Sequence, residues 1–531
     1  MNSNRLSYIL NRIFHIIFLI SFGTIFINIL FNGYIDETKG YNELTRLQIV
    51  LVFILIALVF AAAYIFFVKL KPNRLSNTRK SDYDISDRKT KIIIFSVVGL
   101  MLVIQLIVAY WLEMVPVSDL NNVNGFALDF GYNGNFDLIQ KEYYANSGYV
   151  SLIRYPNNLG IYFLLSIIYR IFYLIFGYIP NYLPVCVNTV FINISVLMTV
   201  MIARKLFGNR KAIFVLVFCV LFMPYYTYTS YYYTDSLSMP FFMGALYLFI
   251  CGVNCNKKYQ KYVFVAISGV LIFAGYKIKG SVIIFLAVAI VYLILKFDFK
   301  RMICLALALV IGFGSVWTAY SVTFKKLNII TDEQFEEYQF PASHWVMMGL
   351  KGLGDYNAED RDFTLSFPTK EEKQEADVEV IKDRLEDYGV AGLNDHLIEK
   401  ATWTWEDGTY FISHHIEKAV RENLLHSFVL DAGENHLFFY IYSCAFQLFL
   451  IFMICLSILK GCIKPKIDIT TLFKGIVFSA YLFFLIWETR SRYLYNFTPV
   501  FILLTVDGLD FITGFVKSKN HFKNKPKHLK A

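Results

Sequence analysis

Residues 47–68 read LQIVLVFILIALVFAAAYIFFV, a run without a single charged side chain. Wound as an α-helix at about 1.5 Å per residue, it is long enough to cross the roughly 30 Å hydrocarbon layer of a bilayer. Lipid offers no hydrogen-bond partner to a backbone, so a segment that crosses it must be helical. The next stretch, 69–91, holds eight Lys/Arg, and short basic connectors stay in the cytoplasm. These two neighbouring segments set both the fold class and its orientation.

Working outward, comparable apolar runs recur throughout the 531 residues. The chain is 56% hydrophobic and 17% charged, with a mean hydropathy of +0.49; soluble domains carry about 25% charged residues. An all-α polytopic membrane protein of about 12 spans follows. The net charge of +9 is spread over short connectors, which fits positive-inside topology and excludes a nucleic-acid-binding surface. Eight cysteines fall in or beside the spans, leaving the large loops without a disulfide framework. Arg5 and Arg12 precede the run 13–31, which is too long for a signal peptide and has no cleavage site after it, so it reads as a retained span.

The expected spans are 13–31, 47–68, 92–112, 185–202, 212–228, 237–253, 263–276, 280–296, 302–323, 436–459, 473–487 and 497–514. The apolar stretch 159–176 is excluded. If it crossed, Arg204, Lys205, Arg210 and Lys211 would lie outside, and its own Arg170 suits a helix lying in the interface. Residues 113–184 then form one external segment with juxtamembrane helices, and both termini are cytoplasmic. The chain divides into two extra N-terminal spans with a basic loop (1–91), a transmembrane core (92–323), an acidic extracytoplasmic cap domain (324–435) and C-terminal spans with a basic tail (436–531). The cap holds 24 Asp/Glu against 11 Lys/Arg.

With this threading the reactive side chains gather outside the cytoplasm. Asp119 follows Pro116 at the end of a span; it is either a helix cap or a catalytic carboxylate. Asp235 lies among six tyrosines in YYTYTSYYYTDSLSMP (225–240), a stretch that serves as an interfacial belt or, through Tyr233 and its neighbours, as a wall for sugar rings. Tyr155, Asn157 and Asn158 belong to a Tyr-Pro-Asn-Asn turn whose amides suit sugar hydroxyls. Lys277, Lys279, Arg490 and Arg492, near Tyr493, are cations on the face where cations are rare, and they suit phosphate. His344, His414 and His415 in the acidic segment read more simply as packed or solvated histidines than as a metal site.

Taken in order, Asp119, Tyr155-Pro156-Asn157-Asn158, Tyr233-Thr234-Asp235, Ile278-Lys279, His344-Trp345, Trp405 to Tyr410 and the Arg490-Arg492-Tyr493 motif resemble those of the GT-C superfamily of integral-membrane glycosyltransferases, in particular a Gram-positive branch. The superfamily includes protein O-mannosyltransferases and the lipid A aminoarabinose transferase. The resemblance runs from about 92 to 514. It implies an inverting glycosyltransferase in the cytoplasmic membrane that moves a sugar from a polyprenyl-phosphate donor to a polysaccharide, teichoic acid or protein hydroxyl. It further implies Asp119 and Asp235 as catalytic residues, Lys279, Arg490, Arg492 and Lys277 as phosphate ligands, and His344 and Trp345 among the substrate contacts. The single Asp119, where some relatives have an Asp-Glu pair, leaves a divalent cation (Mg or Mn) open as cofactor. The rival readings are a lipid-linked saccharide flippase, which would need charges inside the spans, and a sensor displaying the acidic domain.

Overall fold

The computed structural model describes residues 2–33, 41–69, 86–137, 152–156 and 158–523. Among them there is no strand, and one isolated bridge joins Met114 to Ala419. The principal helices are α1 (Asn2–Asn32), α2 (Glu43–Tyr64), α3 (Asp87–Trp111), α4 (Ser118–Asn133), α5 (Asn158–Phe176), α6 (Leu183–Phe207), α7 (Asn209–Leu221), α8 (Met239–Val253), α9 (Gln260–Ile278) and α10 (Ile283–Lys296). There follow α11 (Phe299–Leu327), α12 (Lys370–Glu406), α13 (His436–Ile463), α14 (Ile469–Ile486) and α15 (Thr498–Lys523).

Two antiparallel helices define the ends of the bundle. Arg204 in the last turn of α6 pairs with Asp87 at the start of α3. Tyr182, just before α6, donates to the Leu106 carbonyl near the far end of α3 at 3.0 Å. The basic connectors gather at the Asp87 end, where Lys211 meets Asp510 at 2.6 Å and Lys296 donates to the Ile467 carbonyl at 2.7 Å. Asp119 lies at the other end, which we call the site end.

Eleven helices among the described residues are long and apolar enough to cross a membrane, α5 included. Yet α5 starts at the site end. A Cβ on Gly160 would sit 1.9 Å from the Lys277 carbonyl oxygen, so a glycine is required for this approach to the last turn of α9. The chain is back at that end by Tyr182. At about 1.5 Å per residue α5 is roughly 28 Å long. The steps from Phe176 to Leu183, even fully extended, reach about 25 Å, and residues 177–182 include bends and turns. α5 therefore lies across the end of the bundle beside α4, as its sequence predicts, with Ile167, Ile171, Leu174 and Ile175 exposed on its outer side.

Two expected spans are corrected. The run 212–228 is not one helix: α7 stops after 13 residues at Leu221, Phe222 is extended, and Pro224 opens a separate turn. The run 280–296 yields a 14-residue α10 behind a short 3-10 turn, because Lys279 is extended (φ −142°). Both helices are apolar, so hydrophobicity alone did not reveal their ends.

The most buried spans lie at the centre: 78% of the last span's apolar window is buried, against 11% for α2. The N-terminal pair packs on the outside of α13. The acidic segment covers the site end but does not stop there. α12 breaks at Gly389 (φ 55°), and its final turns enter the bundle. Trp405 packs edge-on to Phe22 at 4.9 Å and against Phe501 at 5.5 Å, and Thr402 accepts from Asn28 at 2.7 Å. Lys400 donates to the Gly349 and Leu485 carbonyls at 2.6 and 3.0 Å, tying the cap to the end of α14. Burial pushes its ammonium down to about 7.

Near the basic end Asp507 accepts from Ser457 and Lys460 and lies 3.3 Å from Lys474, which is buried. This cluster joins α13, α14 and α15. Removing one partner of such a buried group costs about 3–5 kcal/mol, whereas apolar replacement of the set costs little. Asp507→Ala should therefore markedly lower the thermal unfolding midpoint of the detergent-solubilised protein, and Asp507→Leu combined with Lys474→Met should recover most of the loss.

Candidate active site

The site is built where helices stop. Asp119 is the second residue of α4, and Ser118 before it is held at φ 50°, a left-handed conformation that costs about 1–3 kcal/mol for a residue with a side chain. Neither residue caps the helix by a side-chain hydrogen bond. The Asp119 carboxylate instead meets the Tyr233 hydroxyl at 3.4 Å and the Asn158 amide, and Tyr233 also donates to the Asn158 oxygen at 2.8 Å. Burial raises the Asp119 pKa above the usual carboxylate value, against the opposing pull of Asn158, Arg492 and Tyr233. The Tyr-Pro-Asn-Asn turn thus delivers Asn158 to Asp119. Asn157 lies outside the described residues.

Asp235 is buried in a one-turn helix, Thr234–Leu237, and pairs closely with Lys279. Lys279 reaches the cavity at the break between α9 and α10, while Asp235 sits behind it, its second carboxylate oxygen without a hydrogen-bond partner. Lys277 is not at the cavity. Its ammonium lies over the Tyr320 ring, 4.4 Å from the centroid.

The segment Glu488–Tyr493 leaves α14 extended and is fastened by its backbone. The Glu488 N–H donates to the Trp345 carbonyl at 2.9 Å and the Thr489 N–H to the Gly354 carbonyl at 2.8 Å. Arg490 pairs with Asp355 and lies over Phe411. Arg492 is half-buried and donates to the Tyr231 hydroxyl at 3.1 Å and to His415 Nε2 at 3.3 Å. It has no carboxylate within ion-pair distance among the described residues, and its Nε–H has no acceptor. His415 stacks on Tyr231 at 4.2 Å, and burial beside Arg492 keeps it neutral. An arginine always donates, so Nε2 accepts and the proton of His415 sits on Nδ1. Glu488 accepts from Tyr493 at 2.9 and 3.0 Å, and burial raises its pKa above the usual range.

These groups line one cavity of about 730 Å³. Asp119, Glu488, Lys279, Arg490, Arg492 and His415 form its polar wall; Tyr155, Trp345, Phe483, Phe484 and Trp487 form an aromatic one. Tyr155 and Trp345 lie 5.7 Å apart, and Trp345 stacks toward Trp487 at 6.4 Å. His344 faces away, bonded to Thr364 at 2.8 Å beneath the cap. Sequence reading gave no role to His415, Glu488 or Trp487; the His-His doublet and the Glu before Thr-Arg were their signals. Among the described residues no three His, Cys, Asp or Glu side chains gather where a metal ion would be held, and Asp119 has an amide, a phenol and a guanidinium around it.

A family model described as conserved hypothetical integral membrane protein matches residues 3–509. The chain belongs to that family. No curated protein matches it. Among solved structures it is similar to ArnT from Cupriavidus metallidurans, crystallised bound to undecaprenyl phosphate, at 12% identity over 83% of this chain and 82% of that one, with a TM-score of 0.32. A likeness of that size transfers no residue role to this integral membrane protein.

The loop carrying His415 is under strain, since Tyr410 and Phe411 are both left-handed (φ 56° and 60°). Asp407 holds it, accepting from the Thr409 N–H and hydroxyl, the Phe411 N–H and the Ser491 hydroxyl at 2.6–2.9 Å. A hydrogen bond to a charged group contributes about 1.5–3 kcal/mol. Asp407→Ala should therefore speed amide exchange at Thr409 and Phe411 by about tenfold or more, as read by hydrogen–deuterium exchange.

Proposed function

We propose that the protein is an inverting glycosyltransferase, using a polyprenyl-phosphate-linked sugar and a cell-surface acceptor hydroxyl on the extracytoplasmic face of the cytoplasmic membrane. The observation that carries this reading is the pairing, in one cavity, of a half-buried arginine lacking a carboxylate with a half-buried carboxylate beside an amide and a phenol. The gathering of basic connectors at the opposite end supports the extracytoplasmic placement.

The donor's tail stays in lipid and its phosphate binds Arg492, with the Nδ1–H of His415 beside it. Lys279 and Arg490 are already neutralised by Asp235 and Asp355, so they shape the pocket's field more than they bind directly. Asp119 takes the proton of the acceptor hydroxyl. The freed oxygen forms a bond to the anomeric carbon from the face opposite the phosphate, and the carbon–oxygen bond to phosphate breaks with its electron pair leaving on phosphate. One displacement inverts the centre. The developing charge on phosphate is met by a donor already in place, which needs no reorganisation. The aromatic wall stacks the sugar.

Asp119→Asn should cut transfer by about 10²–10⁴-fold, the usual worth of a general base, with membrane expression unchanged. Arg492→Lys should not restore what Arg492→Gln loses, because a point charge does not reproduce the planar fork. Both are read by polyprenyl phosphate released from a labelled donor; a fully active Asp119→Asn enzyme would remove this mechanism. The pH profile is a separate check. The base works ionised, so the rate rises with pH through the Asp119 pKa, and burial places that limb above the ordinary carboxylate range. Tyr233→Phe removes a donor that favours the ionised form and should move the limb higher still.

A further inference from the structure

The same cavity has a second cationic pole. Arg154 lines it from the turn before Tyr155, and Arg361 lines it from the helix Ala358–Leu365. Arg361 is partly neutralised: Asp362 accepts from its Nε and a terminal nitrogen at 2.8 and 3.0 Å, and the Tyr356 hydroxyl accepts from the other at 2.7 Å. Arg154 has no carboxylate within ion-pair distance among the described residues. Its Nε–H is buried without an acceptor, as is that of Arg492. Arg361 lies close enough to weigh against the charged form of Arg154. A guanidinium left unpaired beside another, at the edge of a segment with 24 acidic and 11 basic residues, has passed over abundant carboxylates. Buried polar groups without a partner are few in native proteins, and each calls for a cause.

The arrangement of the two poles supplies one. Arg492 lies over the Tyr233 ring at 5.6 Å, and the Tyr233 hydroxyl reaches Asp119 and Asn158, the latter four residues beyond Arg154. The base shares the cavity with both poles.

Resting on the glycosyl-transfer reading, we infer that the acceptor is itself anionic, a glycan or polyol chain whose phosphate or carboxylate is held by Arg154 and Arg361 while its hydroxyl faces Asp119. Both oxyanions match the guanidinium fork. A neutral sugar would leave Arg154 as it stands.

The test uses the full chain in phosphatidylcholine nanodiscs, with sn-glycerol 3-phosphate, glucuronate and glycerol as probes and calorimetric binding as readout. In an Arg492→Gln background, which removes the donor pole, at least one anion should bind and glycerol should not; the tighter anion names the acceptor's charged group. Adding Arg154→Gln or Arg361→Gln should weaken that binding about tenfold or more, and Arg154→Lys should retain part of it, which separates a binding role from a failure to fold. Anion binding that vanishes with Arg492→Gln alone, or that ignores both rim substitutions, overturns the inference. Failure of the labelled donor to release polyprenyl phosphate would count against the transfer reaction, while these binding results would still decide the anion site.

Discussion

Two backbone hydrogen bonds hold the site together: Glu488 N–H to the Trp345 carbonyl and Thr489 N–H to the Gly354 carbonyl. A membrane helix that ends must find partners for its last carbonyls and for the amides that follow. Here the cap supplies them. Lys400 completes the junction by donating to a carbonyl from each side. With the strand-like segment fixed, Arg490 and Arg492 emerge at set positions, and Ser491 reaches the Asp407 carboxylate that organises the His415 loop. The cap is thus part of the cavity wall, and its acidity does not describe the surface it turns inward.

Charge inventory separates the cations that the sequence presents as equals. Lys279 and Arg490 have carboxylate partners, Lys277 has aromatic rings, and Arg492 has neutral acceptors. A half-buried guanidinium without a carboxylate is costly, which is a reason to read it as a ligand site. The paired ones contribute a fixed field and a rigid floor.

Much of this was legible in the sequence, for identifiable reasons. Uninterrupted apolar runs gave the helices, and the basic connectors gave a threading in which 159–176 lies flat, an expectation with which the contacts of Gly160 and Tyr182 agree. The runs 212–228 and 280–296 misled because residues remain apolar after the helix has ended; Pro224 was the available stop signal. Asp119 and Asn158 share the Tyr233 hydroxyl, a contact that their separate motifs did not foretell. The bond between Asp235 and Lys279 joins residues far apart in the chain, so spacing could not expose it. Lys277 and Lys279 differ by two positions at a helix end, and such residues do not share a face; that argument was open to sequence and separates them correctly. His344 looked functional beside Trp345, yet it belongs to the Thr364–Asp377 network under the cap.

The shortness of α7 sets the depth of the floor. Starting from the basic end, its 13 residues rise only about 20 Å, some 10 Å less than the hydrocarbon is thick. The tyrosine loop therefore begins below the level that the longer spans reach, and the floor of the cavity is recessed. A lipid carrier reaching it would keep its chain among the acyl tails and lower its polar head sideways, without first being lifted into water.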